Sequence, residues 1–190
     1  MSPDPEDYLP HSMVHGPIAA SPRFRGRSKG GFYGDVVEEL DWGVGEIVKT
    51  VDRLGLTEKT MILFTSDNGG VVRNDPPDYG TSNVRPLRGH KNTTWEGGHR
   101  VPFIVRWPGT VAEGEVCEQM ALSVDFLPTI ARFAGTTEPQ DRIIDGVDAR
   151  AQWLGEKGAR SPHDAYFYYF NNDLHAVRSG EWKLHVKRPD

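Results

Sequence analysis

A layered α/β fold with a small antiparallel sheet at its C-terminal end is the architecture this 190-residue sequence predicts. Three observations carry that reading. Tyr33 to Leu54 has apolar residues at helical spacing, and after a short connection Met61 to Thr65 forms a compact run rich in β-formers, so helix, short loop and buried strand make an αβ unit. Phe103 to Trp107 is a second apolar run of strand length, closed by Pro108-Gly109. From Ala165 onward three β-rich runs are separated by Asn-Asn-Asp and Ser-Gly, the pattern of an antiparallel meander.

The chain is long enough for one domain with a sizeable core. A hydrophobic fraction of 37%, a charged fraction of 26% and a formal net charge of −5 give no Lys/Arg stripe, so no nucleic-acid partner is expected. No apolar run reaches the length of a membrane span. The opening Met-Ser-Pro-Asp-Pro-Glu-Asp has neither a basic region nor an apolar one, so no signal peptide is expected. Cys117 is the only cysteine, which excludes an intrachain disulfide and a cysteine-based zinc cluster.

Residues 1–32 read as irregular, because prolines at 3, 5, 10, 17 and 22 and glycines at 16, 26, 30 and 31 forbid a long helix. His15 lies there in a short extended segment, Met13 to Ile18; a lone loop histidine is ordinarily a surface residue. Arg23, Arg25, Arg27 and Lys29 read as a solvated basic loop. The helix follows. Val36, Val37, Leu40, Val44, Ile47, Val48, Val51 and Leu54 give it one apolar face, and Asp35, Glu38, Glu39, Asp41, Glu46, Lys49, Asp52 and Arg53 a solvated one. Gly43 and Gly45 each cost about 1 kcal/mol in a helix interior, so close packing against the sheet is expected there. Gly55 supplies the stop.

The first strand runs into Ser66-Asp-Asn-Gly-Gly70, which places a carboxylate, Asp67, beside an amide carbonyl, Asn68, at the strand's carboxyl end, where open α/β sheets bind ligands. Both are hard oxygen donors suited to Ca²⁺ or Mg²⁺; Asp-Asn-Gly-Gly is also ordinary turn chemistry. The loop from Val71 to Arg88 is long, as functional loops tend to be. Lys91 follows in a Gly-flanked polar loop, a compact charge with three donors that suits an anion. Ser123 to Ala134 reads as a short helix ended by Gly135, with Ser123 as its cap. In the turn Asp145-Gly-Val-Asp148 the aspartates are expected to hold the loop by hydrogen bonds rather than to bind metal.

Taken together and in order, Phe64-Thr-Ser-Asp-Asn-Gly69 and Gly89-x-Lys91-x-Thr-x-Trp-Glu-Gly-Gly-x-Arg-Val-Pro102 resemble the C-terminal half of a type I sulfatase, of the arylsulfatase and N-acetylgalactosamine-6-sulfatase branch. The resemblance extends upstream through His15-x-Pro, Ser21-x-x-Phe-x-Gly and Gly31-x-Tyr-Gly-Asp, and downstream through Ala176-Val-Arg-x-Gly-x-Trp-Lys-Leu184. It implies an alkaline-phosphatase-like fold, with residues 1–160 as the C-terminal part of the catalytic domain and 161–190 as the start of a small antiparallel sheet subdomain. It implies that Lys91 binds the sulfate and its bridging oxygen, and that His15 contacts the same group and protonates the leaving alcohol. Asp67 and Asn68 would be Ca²⁺ ligands. All four would come from loops at one edge of the sheet. Substrates would be sulfate-ester small molecules or sulfated glycans, and such enzymes are usually exported, periplasmic, extracellular or lysosomal.

Departures from the family pattern shape the expectation. The family's nucleophile is a formylglycine made from Cys/Ser-x-Pro-x-Arg. Cys117-Glu-Gln-Met-Ala does not fit that motif, and Ser21-Pro-Arg-Phe-Arg25 has its proline one position early. The paired aspartates that complete the family's Ca²⁺ site, and the basic residues beside its nucleophile, are also missing. The sequence therefore reads as a sulfatase fragment, inactive in isolation, whose parent hydrolyses aromatic or sugar sulfate esters. The alternatives are a phosphodiesterase or phosphonate hydrolase of the same superfamily, which would use different nucleophiles and often two metals, and a non-catalytic sulfatase-like remnant.

Overall fold

The structure, a computed structural model, describes residues 8–72 and 82–187. The N-terminal stretch before Tyr8 and the middle of the 71–88 loop, residues 73–81, lie outside them, so the expectation of a functional loop there is addressed only at its two ends. In chain order the elements are helix α1 (Gly31–Arg53), strand β1 (Ile62–Thr65), helix α2 (Glu96–His99), strand β2 (Phe103–Arg106), helices α3 (Phe126–Phe133) and α4 (Arg150–Trp153), and strands β3 (Tyr166–Phe170), β4 (Asp173–Ser179) and β5 (Trp182–His185). Two compact units form. Among the described residues, one holds residues 8–60 together with Thr65–Phe103; the other holds Met61–Phe64 and residues 104–187.

In the first unit, residues 8–30 are irregular as expected, and α1 begins two residues before the expected start. Its first turns pack on the preceding loop: Val36, 1% exposed, closes a cluster with Ala20 and Phe24, flanked by Met13, Val14, Ile18 and Phe32. Asp35 corrects the sequence reading. Rather than lying on the solvated face it is 2% exposed, and its carboxylate accepts the backbone N–H groups of Gly26 (2.6 Å), Arg27 (3.0 Å) and Ser28 (2.8 Å). A carboxylate can be buried when oriented N–H dipoles replace its water. The bonds from Ser28 and Gly26 hold its pKa below the usual aspartate range.

The apolar face of α1 is unevenly covered. Asp35 and Val36 are its only fully buried residues among those described, while Val37 and Leu54 are exposed, so the apolar face is half-covered at best. A β-carbon at Gly43 or Gly45 would meet nothing within 4 Å. The stop is as expected. Gly55 takes φ +69°, its N–H bonds Asp52 O (3.0 Å), and the N–H of Leu56 bonds Val51 O (3.1 Å), the paired bonds of a Schellman end.

In the second unit β1 and β2 pair in a two-stranded sheet. Ser123 begins a 3₁₀ turn that leads into α3, with no side-chain cap bond, which corrects its assignment as a cap. Trp107, Phe126, Phe133 and Trp153 form the aromatic core around α3 and α4, with Trp107–Phe133 and Phe126–Trp153 edge to face at 5.2 and 5.5 Å. The loop that ends at Asp148 is held from both sides. Asp148 accepts the N–H of Arg150 (3.0 Å) and pairs with its guanidinium (2.8 Å). Asp125, fully buried, accepts the N–H of Val147 (2.9 Å) and is capped by His163 Nε2 at 2.8 and 2.9 Å.

The meander forms in the order β3-β4-β5, both pairs antiparallel, with a bulge between Tyr168 and Tyr169. Phe167, Val177 and Leu184 stand in one cross-strand row, and Tyr168, Ala176 and His185 in the next, with Tyr168 and Ala176 buried and His185 half-buried. Among the described residues no helix is long and apolar enough to cross a membrane.

Candidate functional site

The four residues singled out by sequence all lie in the first unit. Asp67 and Asn68 follow β1 directly, in a turn where the Ser66 hydroxyl donates to Asn68 O (3.1 Å) and sits 3.5 Å from Asp67 Oδ1. Asp67 is exposed and Asn68 half-buried. Asn68 Nδ2 donates to Gly69 O (2.9 Å), which orients the amide and leaves its carbonyl oxygen outside that bond.

Lys91 is half-buried, at the second position of a tight turn, His90 to Thr93, closed by Thr93 N–H on His90 O (3.1 Å) with Asn92 at φ +71°. The structure joins this turn to the first. Lys91 N–H bonds Gly70 O at 2.9 Å, and Gly69 N–H bonds Gly98 O at 3.0 Å. Gly97 N–H then bonds Arg88 O at 2.8 Å, closing the loop that begins before Lys91.

Glycine is needed at these crossings. A β-carbon on Gly69 would overlap the Gly97 carbonyl, and one on Gly97 would lie 2.5 Å from Gly89 O. Backbone atoms cannot swing aside as the end of a side chain can, so the close approach excludes any larger residue. The Gly-Gly pairs that read as turn chemistry thus act together as the junction between the Asp67 and Lys91 loops.

His15 is placed differently. It is exposed, and its Nδ1 lies 2.8 Å from Gly16 O. A carbonyl only accepts, so Nδ1 carries the hydrogen and Nε2 is left to accept or, once protonated, to donate. Among the described residues no hydrogen bond or ion pair joins His15 to Asp67, Asn68 or Lys91. The mouth of the 71–88 loop closes near Gly70, where Ser82 Oγ donates to Val71 O (2.6 Å).

The donor set bears on Ca²⁺. Asp67 and the Asn68 carbonyl are oxygen donors of the right kind, but Ca²⁺ takes about six to eight oxygens. No cluster of three or more His, Cys, Asp or Glu able to hold a metal occurs among the described residues. The pair fits as one part of such a ligand set. Cys117 is exposed and free, in the other unit, and a surface concavity lined by Phe133, Asp148, Arg150 and Leu154 contains none of the four residues.

Sequence reasoning missed the roles of Thr93, Asp35 and the Asp125–His163 pair. Asp35 and Thr93 carry a signal only through the motifs in which they sit. Nothing in the sequence pairs Asp125 with His163, 38 positions away.

Known proteins match the chain over most of its length. Residues 8–136 match the sulfatase family model, and residues 90–185 match that of the N-sulphoglucosamine sulphohydrolase C-terminal region. Steryl-sulfatase of Rattus norvegicus is 43% identical over 94% of the chain and 30% of its own length. N-acetylgalactosamine-6-sulfatase of Mus musculus is 40% identical over 94% of the chain and 34% of its own length. Among solved structures, the PsFucS1 sulfatase of Pseudoalteromonas sp. superposes with a TM-score of 0.81 at 32% identity, over 91% of the chain and 34% of that protein. The chain therefore spans about a third of the length of the relatives it matches.

Proposed function

The chain belongs to the sulfatase family, and from that premise we propose that it forms the sulfate-binding part, and part of the Ca²⁺ site, of a sulfuric ester hydrolase acting on sulfate esters of aromatic or sugar substrates. The matched relatives are sulfatases, and none of them favours a phosphoester substrate. One observation carries the reading: the 2.9 Å bond from Lys91 N–H to Gly70 O fixes the lysine's loop against the turn that bears Asp67 and Asn68.

In this reading Lys91 binds the non-bridging and bridging oxygens of the sulfate ester. Its charge meets the negative charge that grows on the bridging oxygen as the S–O bond breaks, so it acts more strongly in the transition state than in the ground state. His15, with Nδ1–H committed to Gly16 O, presents Nε2 to the same group and, when protonated there, gives the Nε2 proton to the bridging oxygen as it leaves, so that the product departs as the alcohol. Asp67 and the Asn68 carbonyl would serve as two of the oxygen ligands of a Ca²⁺, which when bound would supply positive charge to the sulfate oxygens. The formylglycine nucleophile is not encoded among these residues, since no Cys/Ser-x-Pro-x-Arg occurs in the sequence.

Inorganic sulfate titrated into the chain tests the assignment. Chemical shifts at Lys91 and across Asp67–Gly70 are expected to move together and to stop moving in Lys91→Ala. Shifts confined to the Arg23–Lys29 loop, or unchanged by that substitution, count against the reading.

A further inference from the structure

We propose that Thr93 is a positioning residue for Lys91, its hydroxyl setting the turn that holds the lysine against Gly70; the functional meaning of that position rests on the reading of Lys91 as the sulfate ligand. Thr93 is buried at 9% exposure although its side chain is polar, and it lies only two residues from Lys91. Its Oγ1 is used twice by the same residue. It donates to His90 O at 2.7 Å and accepts from His90 N–H at 3.2 Å, beside the backbone bond from Thr93 N–H to His90 O. Three hydrogen bonds therefore tie the residue before Lys91 to the residue two after it. Lys91 and Asn92 form the span between, with Asn92 in the left-handed region.

The surroundings are built to this turn. A β-carbon on Gly89 would lie 2.5 Å from Thr93 Oγ1, and one on Gly98 would crowd the carbonyls of Thr93 and His90. Both glycines belong to the clasp that carries the Lys91–Gly70 and Gly69–Gly98 bonds. His90 adds a restraint on the far side, with Nδ1 2.7 Å from Lys91 O, so the backbone of Lys91 is held at both its N–H and its carbonyl. The Thr93 hydroxyl adds two bonds to the one backbone bond that closes this span. A valine of the same shape removes that hold without changing volume, and a serine keeps it.

Amide hydrogen exchange on the full chain, read by NMR, tests the proposal. In Thr93→Val the Lys91 amide is expected to exchange about tenfold faster, the effect of losing about one net hydrogen bond's worth of local stability. The amides of α1 should keep their rates, and Thr93→Ser should restore that of Lys91. Inorganic sulfate should bind several-fold more weakly to Thr93→Val than to the wild type or Thr93→Ser. An unchanged Lys91 amide in Thr93→Val overturns the proposal, as does an equal acceleration in Thr93→Ser. Should Thr93→Val fail to fold, the wild type decides: a slowly exchanging Thr93 hydroxyl proton close to His90 supports the hold, and one averaged with water overturns it. If sulfate leaves wild-type Lys91 unmoved while exchange follows the expected pattern, the assignment of Lys91 to sulfate falls and the role of Thr93 in placing it stands.

Discussion

Lys91 owes its place to backbone bonds at its own N–H and carbonyl, so removing its side chain leaves the clasp intact. In a protein that carries these residues together with the nucleophile, Lys91→Ala is expected to lower kcat by about 10²–10³, the usual effect of removing one donor to a developing oxyanion. KM should change far less, and the circular dichroism spectrum should not change; near-normal kcat in the folded variant would place the sulfate elsewhere. A second residue-scale prediction concerns Asp35. Its folded-state pKa is depressed, chiefly by the Ser28 and Gly26 N–H groups. The sign follows: the carboxylate adds stability above the ordinary aspartate range, and that stability is lost as pH falls through the lowered folded value. Asp35→Asn should therefore be less stable than wild type at neutral pH, with the gap closing on the acid side. Urea midpoints measured between about pH 7 and 3 check it, and a gap independent of pH would mean that the charge of Asp35 contributes nothing.

Helix α1 separates what periodicity can reveal from what it cannot. Its existence, extent and Gly55 stop were legible because helical spacing and a left-handed glycine are local properties of the chain. What the helix packs against is not local. The repeat marks Val37 and Leu54 as it marks Val36, yet the structure buries only Val36. Asp35 is polar in the repeat and buried in the fold because three N–H groups from a loop seven to nine residues upstream converge on it. The glycines of α1 give the element-scale prediction. With open space at both β-carbon positions, Gly43→Ala and Gly45→Ala are each expected to stabilise the chain by about 0.5–1 kcal/mol through lower unfolded-state entropy. Gly55→Ala, forced to φ +69°, should destabilise it by about 1 kcal/mol or more. Thermal midpoints of the three variants measure this; a loss at Gly43 or Gly45 would show that those positions are covered in solution.

Across the whole molecule the sequence revealed the candidate site in pieces. The motifs named Asp67, Asn68 and Lys91, and the structure supplied what joins them, the bonds through Gly69, Gly70, Gly97 and Gly98. Such junctions are illegible in sequence because a glycine at a turn and a glycine at a backbone crossing look alike. His15 was legible only through its motif, and among the described residues its ring hydrogen-bonds its neighbour Gly16. The chain thus holds the Lys91 loop and two oxygen donors but no nucleophile motif, and that combination sets the behaviour expected of the isolated polypeptide. Electrostatic groups lower a barrier only when an attacking atom is present, so the purified chain is expected to hydrolyse a chromogenic aryl sulfate no faster than background, with or without millimolar Ca²⁺. Ca²⁺ itself should bind weakly. Two protein oxygens leave most of the coordination sphere to water, and a calorimetric titration should show no saturable site at micromolar concentration. The two measurements separate the causes. Micromolar Ca²⁺ binding that disappears in Asp67→Ala would mean that the chain completes the ligand set by itself. Turnover that survives repurification and disappears in Lys91→Ala would mean that another group here does the attacking, and the division of labour proposed for these residues would then be wrong.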